Sequence, residues 1–133
     1  MKNYISKIRV RYGETDQMGV VHHGNYAQYF ELARIEWLEN IGISYKAMEK
    51  NGVMLPVYKM NIKYIRPAHF DDLLSIETSL KNKPTAKIDF QYFIRNKEGE
   101  LLTEGETTLV FTDTKNNRPM RCPQYILKKL GFD

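Results

Sequence analysis

The sequence predicts an α+β fold in which one long helix covers a five-stranded antiparallel sheet. One stretch, residues 25–41, carries apolar residues at helical spacing, and the segments before and after it alternate as strands do. The connections between the later strands are mostly short, which favours antiparallel neighbours. No other element is long enough to cover the apolar face of the sheet. We therefore expect a curled sheet wrapped around this central helix.

The N-terminal part of the chain supplies the first strand and two helices. A strand is predicted over residues 5–12, where apolar and polar residues alternate, and a loop over 13–24. The long helix begins at Asn25, a residue suited to cap it, and ends just before Gly42. A second, short helix is predicted over residues 44–50.

The remainder of the chain is predicted to form the other four strands of the sheet. Pro67 ends the first of them, and turn-forming residues at 82–85 and 96–99 separate the later ones. The predicted strands cover residues 54–66, 73–80, 88–94 and 101–112, and a last short helix covers 123–130.

Length and composition indicate a single globular domain, residues 1–133. Of the 133 residues, 42% are hydrophobic and 27% are charged, and no apolar run approaches the ~20 residues that span a bilayer. The N-terminus has no signal-peptide centre and only one cysteine is present, so a cytoplasmic protein is expected. The net charge of +4, without a block of like charges, fits a polyanionic small molecule at least as well as nucleic acid.

The candidate site lies in the stretch from Arg11 to Tyr26. It combines the carboxylate of Asp16 with the adjacent His22 and His23 and with a helix start. A carboxylate near the N–H groups of a helix N-terminus can attack a carbonyl or activate water against it. The N–H groups can then hold the oxygen that becomes negative. The alternative for Asp16 is a turn residue that bonds its own backbone.

Three segments of the sequence match one known pattern. They are Tyr12-x-Glu14-Thr15-Asp16-x-x-Gly19-Val20-Val21-His22-His23-x-Asn25-Tyr26, Tyr29-Phe30-Glu31-x-Ala33-Arg34, and Tyr64-Ile65-Arg66-Pro67-Ala68 with Asp71-Asp72-Leu73-Leu74. In these residues the chain resembles the 4-hydroxybenzoyl-CoA thioesterase family, whose members have the hot dog fold. Within the family it looks most like the small bacterial acyl-CoA thioesterases associated with the Tol-Pal system. The resemblance covers residues 5–111.

This resemblance implies hydrolysis of an acyl-CoA thioester, with a short-to-medium or aromatic acyl group, and without a metal or organic cofactor. Asp16 falls at the position of the family's catalytic aspartate, as general base or nucleophile. The backbone N–H of His23 falls at the position that polarises the thioester carbonyl. The resemblance also implies a homodimer or homotetramer with a continuous sheet and with active sites at the subunit interface.

Six further residues are candidates for substrate binding. Asn25, Tyr26 and Glu31 lie at the start of the long helix, and each has a structural role as its alternative: cap, core residue and partner of the helix dipole. Basic residues at a pocket mouth are expected to hold the phosphates of CoA. The candidates are Lys59 and Lys63, which share one face of a strand, and Arg66, which falls on the other.

Several other chemistries lack the motifs they need. His22 and His23 are adjacent, and no second set of ligands stands at metal-binding spacing, so no metal is expected. There is no Gly-x-Ser-x-Gly elbow for a serine nucleophile. The alternatives left open are a hot dog hydroxyacyl dehydratase, a non-catalytic acyl-CoA-binding module and a weak nucleic-acid binder.

Overall fold

A computed structural model describes residues 3–132, so the first two residues and the last residue of the predicted domain lie outside it. In chain order, the elements are β1 (Asn3–Arg9), α1 (Tyr26–Asn40), α2 (Tyr45–Lys50), β2 (Val53–Met54), β3 (Val57–Tyr64), β4 (Leu73–Leu80), β5 (Lys87–Arg95), β6 (Leu101–Val110), β7 (Thr112–Asp113) and α3 (Gln124–Lys129). Two 3₁₀ turns, Tyr12–Glu14 and His23–Asn25, precede α1.

Five of the strands form one antiparallel sheet in the order β1-β4-β5-β6-β3, and β2 and β7 form a separate antiparallel pair. The predicted five-stranded sheet with one long helix is therefore confirmed. Alternate residues of β4 and β5 are buried, as their period of two requires. The face they form packs against α1.

Aromatic rings fill the space between α1 and the sheet. The ring of Phe30 stacks on that of Tyr92 with centroids 4.3 Å apart, and Trp37 meets Phe90 edge to face at 5.0 Å. Gly105 on β6 leaves room for this packing, because a β-carbon at that position would overlap the Phe30 ring. The core is thus closely packed, and the Phe30 ring fits only because Gly105 has no side chain.

The helix predictions are confirmed to within one or two residues. Gly42 follows α1 with a φ of +86°, and the Ser44 hydroxyl accepts the backbone N–H of Ala47 at 3.1 Å, which caps α2. Asn25 stands at the N-cap position of α1, but its side chain makes no capping bond. Its amide donates instead to the backbone carbonyl of Glu14, at 2.8 Å.

Three strand predictions were wrong at their ends. The predicted strand 101–112 ends at Val110, and Thr112 begins the separate strand β7. The first strand stops at Arg9 rather than residue 12, and Tyr12 lies in a 3₁₀ turn with 77% of its surface exposed. The predicted strand 54–66 is two strands, β2 and β3. Pro56 lies between them, and a proline has no N–H to donate to a sheet ladder.

Strand β3 is an edge of the sheet, and its side chains are largely uncovered. Seven of its eight residues are exposed, and only Ile62 is half-buried. Val57, Met60 and Tyr64 expose 49%, 44% and 50% of their surfaces. Apolar side chains beside a free sheet edge are typical of a surface that pairs with another chain.

Candidate active site

The Asp16 loop, residues 10–25, is fixed between the end of β1 and the start of α1. The backbone of Asp16 makes two hydrogen bonds around a tight turn. Its N–H donates to the Val20 carbonyl at 2.9 Å, and its carbonyl accepts the Gly19 N–H at 3.0 Å. Gly19 closes this turn with a φ of +77°, which favours glycine. The Val21 N–H donates to the Ala68 carbonyl at 2.9 Å, and this bond ties the loop to the segment that follows β3.

The carboxylate of Asp16 has one oxygen in the turn and one oxygen available. Oδ1 accepts the backbone N–H of Met18 at 2.8 Å, the local bond expected of a turn aspartate. Within residues 3–132, Oδ2 accepts no hydrogen bond. The exposed side chain also lines a cavity of about 320 Å³ at the N-terminal end of α1. The turn therefore orients the carboxylate and leaves an oxygen that can accept a proton or attack a carbon.

His23 lines the same cavity and carries a free backbone donor. Its neighbours are occupied: the Gly24 N–H donates to Nδ1 of His22 at 3.1 Å, and the Asn25 N–H donates to the His22 carbonyl at 2.9 Å. The His23 N–H has no acceptor in the described part of the chain. It stands at the entry to α1, where the helix dipole favours negative charge. This donor can therefore stabilise an oxyanion.

Tyr64, Tyr26 and Arg66 form the opposite wall of the cavity. The Tyr64 hydroxyl donates to the His23 carbonyl at 3.1 Å, and the Tyr64 ring meets that of Tyr26 with centroids 5.3 Å apart. Burial raises the pKa of the Tyr26 phenol. Arg66 is exposed and pairs with Glu100 at 3.1 Å. The wall thus offers one aromatic surface and one cation to a ligand.

Glu14 holds the Asp16 loop together, a role that the sequence analysis did not assign. Its buried carboxylate accepts the Arg11 backbone N–H at 2.8 Å, the Arg11 guanidinium at 2.8 Å and the Tyr29 hydroxyl at 2.9 Å. Its backbone carbonyl accepts from Asn25 and His22. Burial alone would raise the pKa of Glu14, but the bonds from Arg11 and Tyr29 outweigh burial and hold the pKa below its usual range.

The structure brings four of the predicted site residues together and leaves four apart. Asp16, His23, Tyr26 and Arg66 line the one cavity. Asn25 turns to Glu14, and Glu31 is exposed beside other cavities further along α1. Lys59 and Lys63 pair with Thr108 and Glu104 on the face of the sheet away from α1.

Three further features of the chain are relevant to its function. Among residues 3–132, no group of three or more His, Cys, Asp or Glu side chains is arranged to hold a metal ion. The rings of His22 and His23 lie against each other with centroids 4.3 Å apart. In the same part of the chain, no helix is long and apolar enough to cross a membrane.

A single helix against a five-stranded antiparallel sheet, with a carboxylate and a free amide at the helix start, defines the class of hot dog fold thioesterases. The chain belongs to the thioesterase-like superfamily, whose sequence profile matches residues 10–130. The predicted fold and family are thus confirmed.

Individual relatives agree with this assignment. The chain is 35% identical over 120 residues to YneP of Bacillus subtilis, a match that covers 89% of this chain and 87% of that protein. It is also 35% identical over 120 residues to the acyl-CoA thioester hydrolase YbgC of Escherichia coli, covering 90% of each. The crystal structure of a DHNA-CoA thioesterase from Staphylococcus aureus superposes with a TM-score of 0.92 at 34% identity, covering 98% of this chain and 88% of that one.

Proposed function

We propose that this protein is an acyl-CoA thioesterase. The thioester carbonyl of the substrate binds between the Asp16 carboxylate and the His23 backbone N–H, where it is hydrolysed. One observation carries the proposal: a carboxylate oxygen of Asp16 and the backbone N–H of His23, neither of which makes a hydrogen bond within residues 3–132, line one cavity at the start of α1. A thioester is an activated acyl group, so a base or nucleophile and an oxyanion donor suffice for its hydrolysis.

The geometry supports two routes for the chemical step. In the first, Asp16 takes a proton from water, whose oxygen attacks the thioester carbon. The carbonyl oxygen becomes an oxyanion held by the His23 N–H, and its collapse breaks the C–S bond and releases CoA thiolate, which is then protonated. In the second, Asp16 itself attacks and expels the thiolate, and water hydrolyses the resulting anhydride. Single-turnover hydrolysis in ¹⁸O-water identifies the second route when water opens the anhydride at the Asp16 carboxyl carbon, because the label then enters Asp16 and the product acid keeps the Asp16 oxygen.

A thiol-release assay on a panel of acyl-CoAs tests the proposal. Aliphatic and aromatic esters should both be included, because the expected acyl group is short-to-medium or aromatic. Asp16→Ala should lower kcat/KM by about a hundredfold or more. Asp113→Ala is the matched control, since Asp113 makes the same bond to the N–H two residues on, at 2.8 Å, far along the chain from the cavity. Activity in Asp16→Ala equal to the control would refute the mechanism.

CoA carries several phosphates, and Arg66 is the cation best positioned to meet them. It is exposed and lines both the Asp16 cavity and the broad cleft beside it, which Arg9 and Lys97 also line. Lys59 and Lys63 stay weaker candidates for phosphate binding because they project from the other face of β3.

We also propose that two copies pair through β3 to form a homodimer, with a homotetramer as the next level of assembly. The support is the exposed apolar row on β3 and its free edge. An isologous antiparallel pair would extend the sheet across both copies. A cytoplasmic location is part of the same proposal, and the free thiol of Cys122 fits a reducing compartment.

A non-catalytic acyl-CoA-binding module is the alternative that the same assay addresses. Such a protein would bind an acyl-CoA tightly by calorimetry and release no thiol over many hours. Turnover above the spontaneous rate of thioester hydrolysis, lost in Asp16→Ala, would reject it.

A further inference from the structure

Arg34 is a buried cation on α1 that has no acidic partner among residues 3–132. Only 8% of its surface is exposed, and within that range no carboxylate oxygen lies within 4.0 Å of its guanidinium. Its one hydrogen bond there runs from Nη1 to the Tyr92 hydroxyl, at 3.3 Å. A guanidinium has five N–H donors and stays charged, so most of its capacity is unused. The guanidinium nitrogens that make no hydrogen bond are not among the fully buried side-chain atoms without a partner, so they remain accessible to a group from outside the chain.

The guanidinium lines a second cavity, of about 360 Å³, between α1, α2 and the beginning of β3. Most of the other lining side chains are apolar. They include Leu38, Leu55, Phe90 and Leu109. The Tyr45 hydroxyl is engaged with the backbone N–H of Leu55, at 3.3 Å. The cavity is therefore lined by apolar side chains and several polar groups, with the Arg34 cation on its wall.

Two acidic side chains, Glu31 and Glu49, also line this cavity, and both are exposed to solvent. Because they are hydrated and lie beyond 4.0 Å from the guanidinium, neither neutralises Arg34. They oppose the entry of a free anion, but a carboxylate that reaches Arg34 gains two parallel, charge-assisted hydrogen bonds. The arrangement favours a carboxylate delivered on an apolar chain.

The Arg34 cavity and the Asp16 cavity are separate and lie at successive points along α1. Tyr26 lines the Asp16 cavity, and Arg34 follows two helical turns later, about 12 Å along the axis. On β3, Tyr64 lies beside Tyr26, and Met60 pairs with Thr107, whose hydroxyl contacts Tyr92, the partner of Arg34. Met60 and Tyr64 are four strand positions apart, a distance of about 13 Å.

The strip of β3 between these points is apolar and exposed within one copy, and in the proposed β3 dimer it lies at the interface between the two copies. Met60 and Tyr64 are exposed and Ile62 is half-buried, and all three face the side of the sheet on which α1 lies. An acyl chain whose thioester sits at Asp16 can therefore extend over this strip toward Arg34. The distance of about 12 Å corresponds to an extended chain of medium length.

We propose that Arg34 binds a carboxylate at the far end of the acyl group, so that the preferred substrates are CoA half-thioesters of dicarboxylic acids. This inference rests on the proposed thioesterase function. It makes Arg34 a specificity-determining residue that does not contact the reacting atoms.

The test compares pairs of CoA esters with equal carbon number, one ending in a carboxylate and one in a methyl group. Butyryl with succinyl, hexanoyl with adipoyl, octanoyl with suberoyl and decanoyl with sebacoyl cover the range of lengths. The wild type should prefer the carboxylate-ended member by about tenfold in kcat/KM at the longer lengths. Arg34→Met should reduce this ratio by about tenfold and Arg34→Lys by less. Arg95→Met removes an exposed guanidinium that, among residues 3–132, donates only to the Gly99 carbonyl, and it should leave the ratio as in wild type.

Each outcome decides the inference. The inference is overturned if, in the wild type, kcat/KM for the carboxylate-ended ester is no higher than for the methyl-ended ester at every length. It is also overturned if Arg34→Met leaves the ratio of these two kcat/KM values unchanged. If Arg34→Met does not fold, competition on the wild type decides: suberate should inhibit more strongly than octanoate, and equal inhibition overturns the inference. Cleavage of the methyl-ended esters without a carboxylate preference defeats only this inference, whereas no cleavage of any ester defeats the proposed function itself.

Discussion

The Tyr29 hydroxyl donates a hydrogen bond to the Glu14 carboxylate across 2.9 Å, and this bond joins the Asp16 loop to the central helix. Glu14 lies two residues before Asp16, and its backbone carbonyl accepts from both His22 and Asn25. The two ends of the loop are therefore fixed to one residue. We infer that Glu14 determines the relative position of the Asp16 carboxylate and the His23 N–H.

The Glu14 contacts predict a specific pH dependence of stability. Because the folded-state pKa of Glu14 lies below its usual 4.5, its contribution is fully present above pH 4.5 and is lost as the pH falls through the folded-state pKa. Glu14→Gln should cost about 2–3 kcal/mol of unfolding free energy at pH 7 and less at pH 3. Urea denaturation at both pH values measures this difference. Glu98→Gln, an exposed loop substitution, is the control, and an equal cost of Glu14→Gln at both pH values would contradict the assignment.

Gly105 predicts a packing defect. In Gly105→Ala the new methyl group overlaps the Phe30 ring, so we expect a loss of about 1–3 kcal/mol in unfolding free energy. Thermal denaturation should show a Tm lower by several degrees. Gly13→Ala, where a β-carbon would meet nothing within 4 Å, should stay near wild type. Adding Phe30→Leu to Gly105→Ala should recover part of the loss, and a purely additive double mutant would argue against the overlap.

Arg66 predicts a defect in CoA binding rather than in chemistry. Arg66→Ala should raise KM for an acyl-CoA about three- to tenfold and leave kcat within about twofold, because a phosphate contact is made equally in the ground state and the transition state. Its ion pair with Glu100 is exposed, so stability should change little. Lys63→Ala is the matched control from the other face of the sheet. An equal rise in KM for both variants would move the phosphate site away from Arg66.

The edge strand β3 predicts the oligomeric state. The wild type should elute as a dimer or tetramer in size-exclusion chromatography with light scattering. Met60→Lys should shift it toward the monomer by placing a charge in the apolar row. Ile5→Lys is the control, since Ile5 is equally exposed, at 55%, on β1, the other edge of the sheet. Dissociation caused by the Ile5 substitution alone would assign the interface to β1.

The sequence predicts the elements whose period is unambiguous. The buried alternation of β4 and β5, the glycine that ends α1 and the Ser44 cap of α2 follow from local patterns, which packing reinforces. The break at Pro56 and the end of β1 depend on which backbone groups find partners, and periodicity does not contain that information. Lys59 and Lys63 share a face as predicted, but which face meets α1 depends on the pairing of β3 with β6.

The candidate site is less accessible to sequence reasoning. Asp16 and His23 are named by the resemblance, whereas the roles of Glu14 and Arg34 depend on burial. Signals for both exist in the sequence. The Arg11-x-x-Glu14 spacing allows a reciprocal capping contact, and Arg34 interrupts the apolar helical stripe that contains Tyr26 and Phe30. Neither signal shows by itself that a side chain is buried or what it meets.

The central claim is that a thioester carbonyl lies between the Asp16 carboxylate and the His23 N–H. The most direct measurement is amide NMR on titration with a non-hydrolysable thioether analogue of an acyl-CoA, its carbonyl retained. The account predicts that the His23 N–H signal moves downfield more than those of Gly24 and Asn25, whose N–H groups are already bonded, and that Asp16→Ala leaves this shift in place. Saturable binding with no change at His23, and with the largest changes elsewhere on the protein, would contradict it.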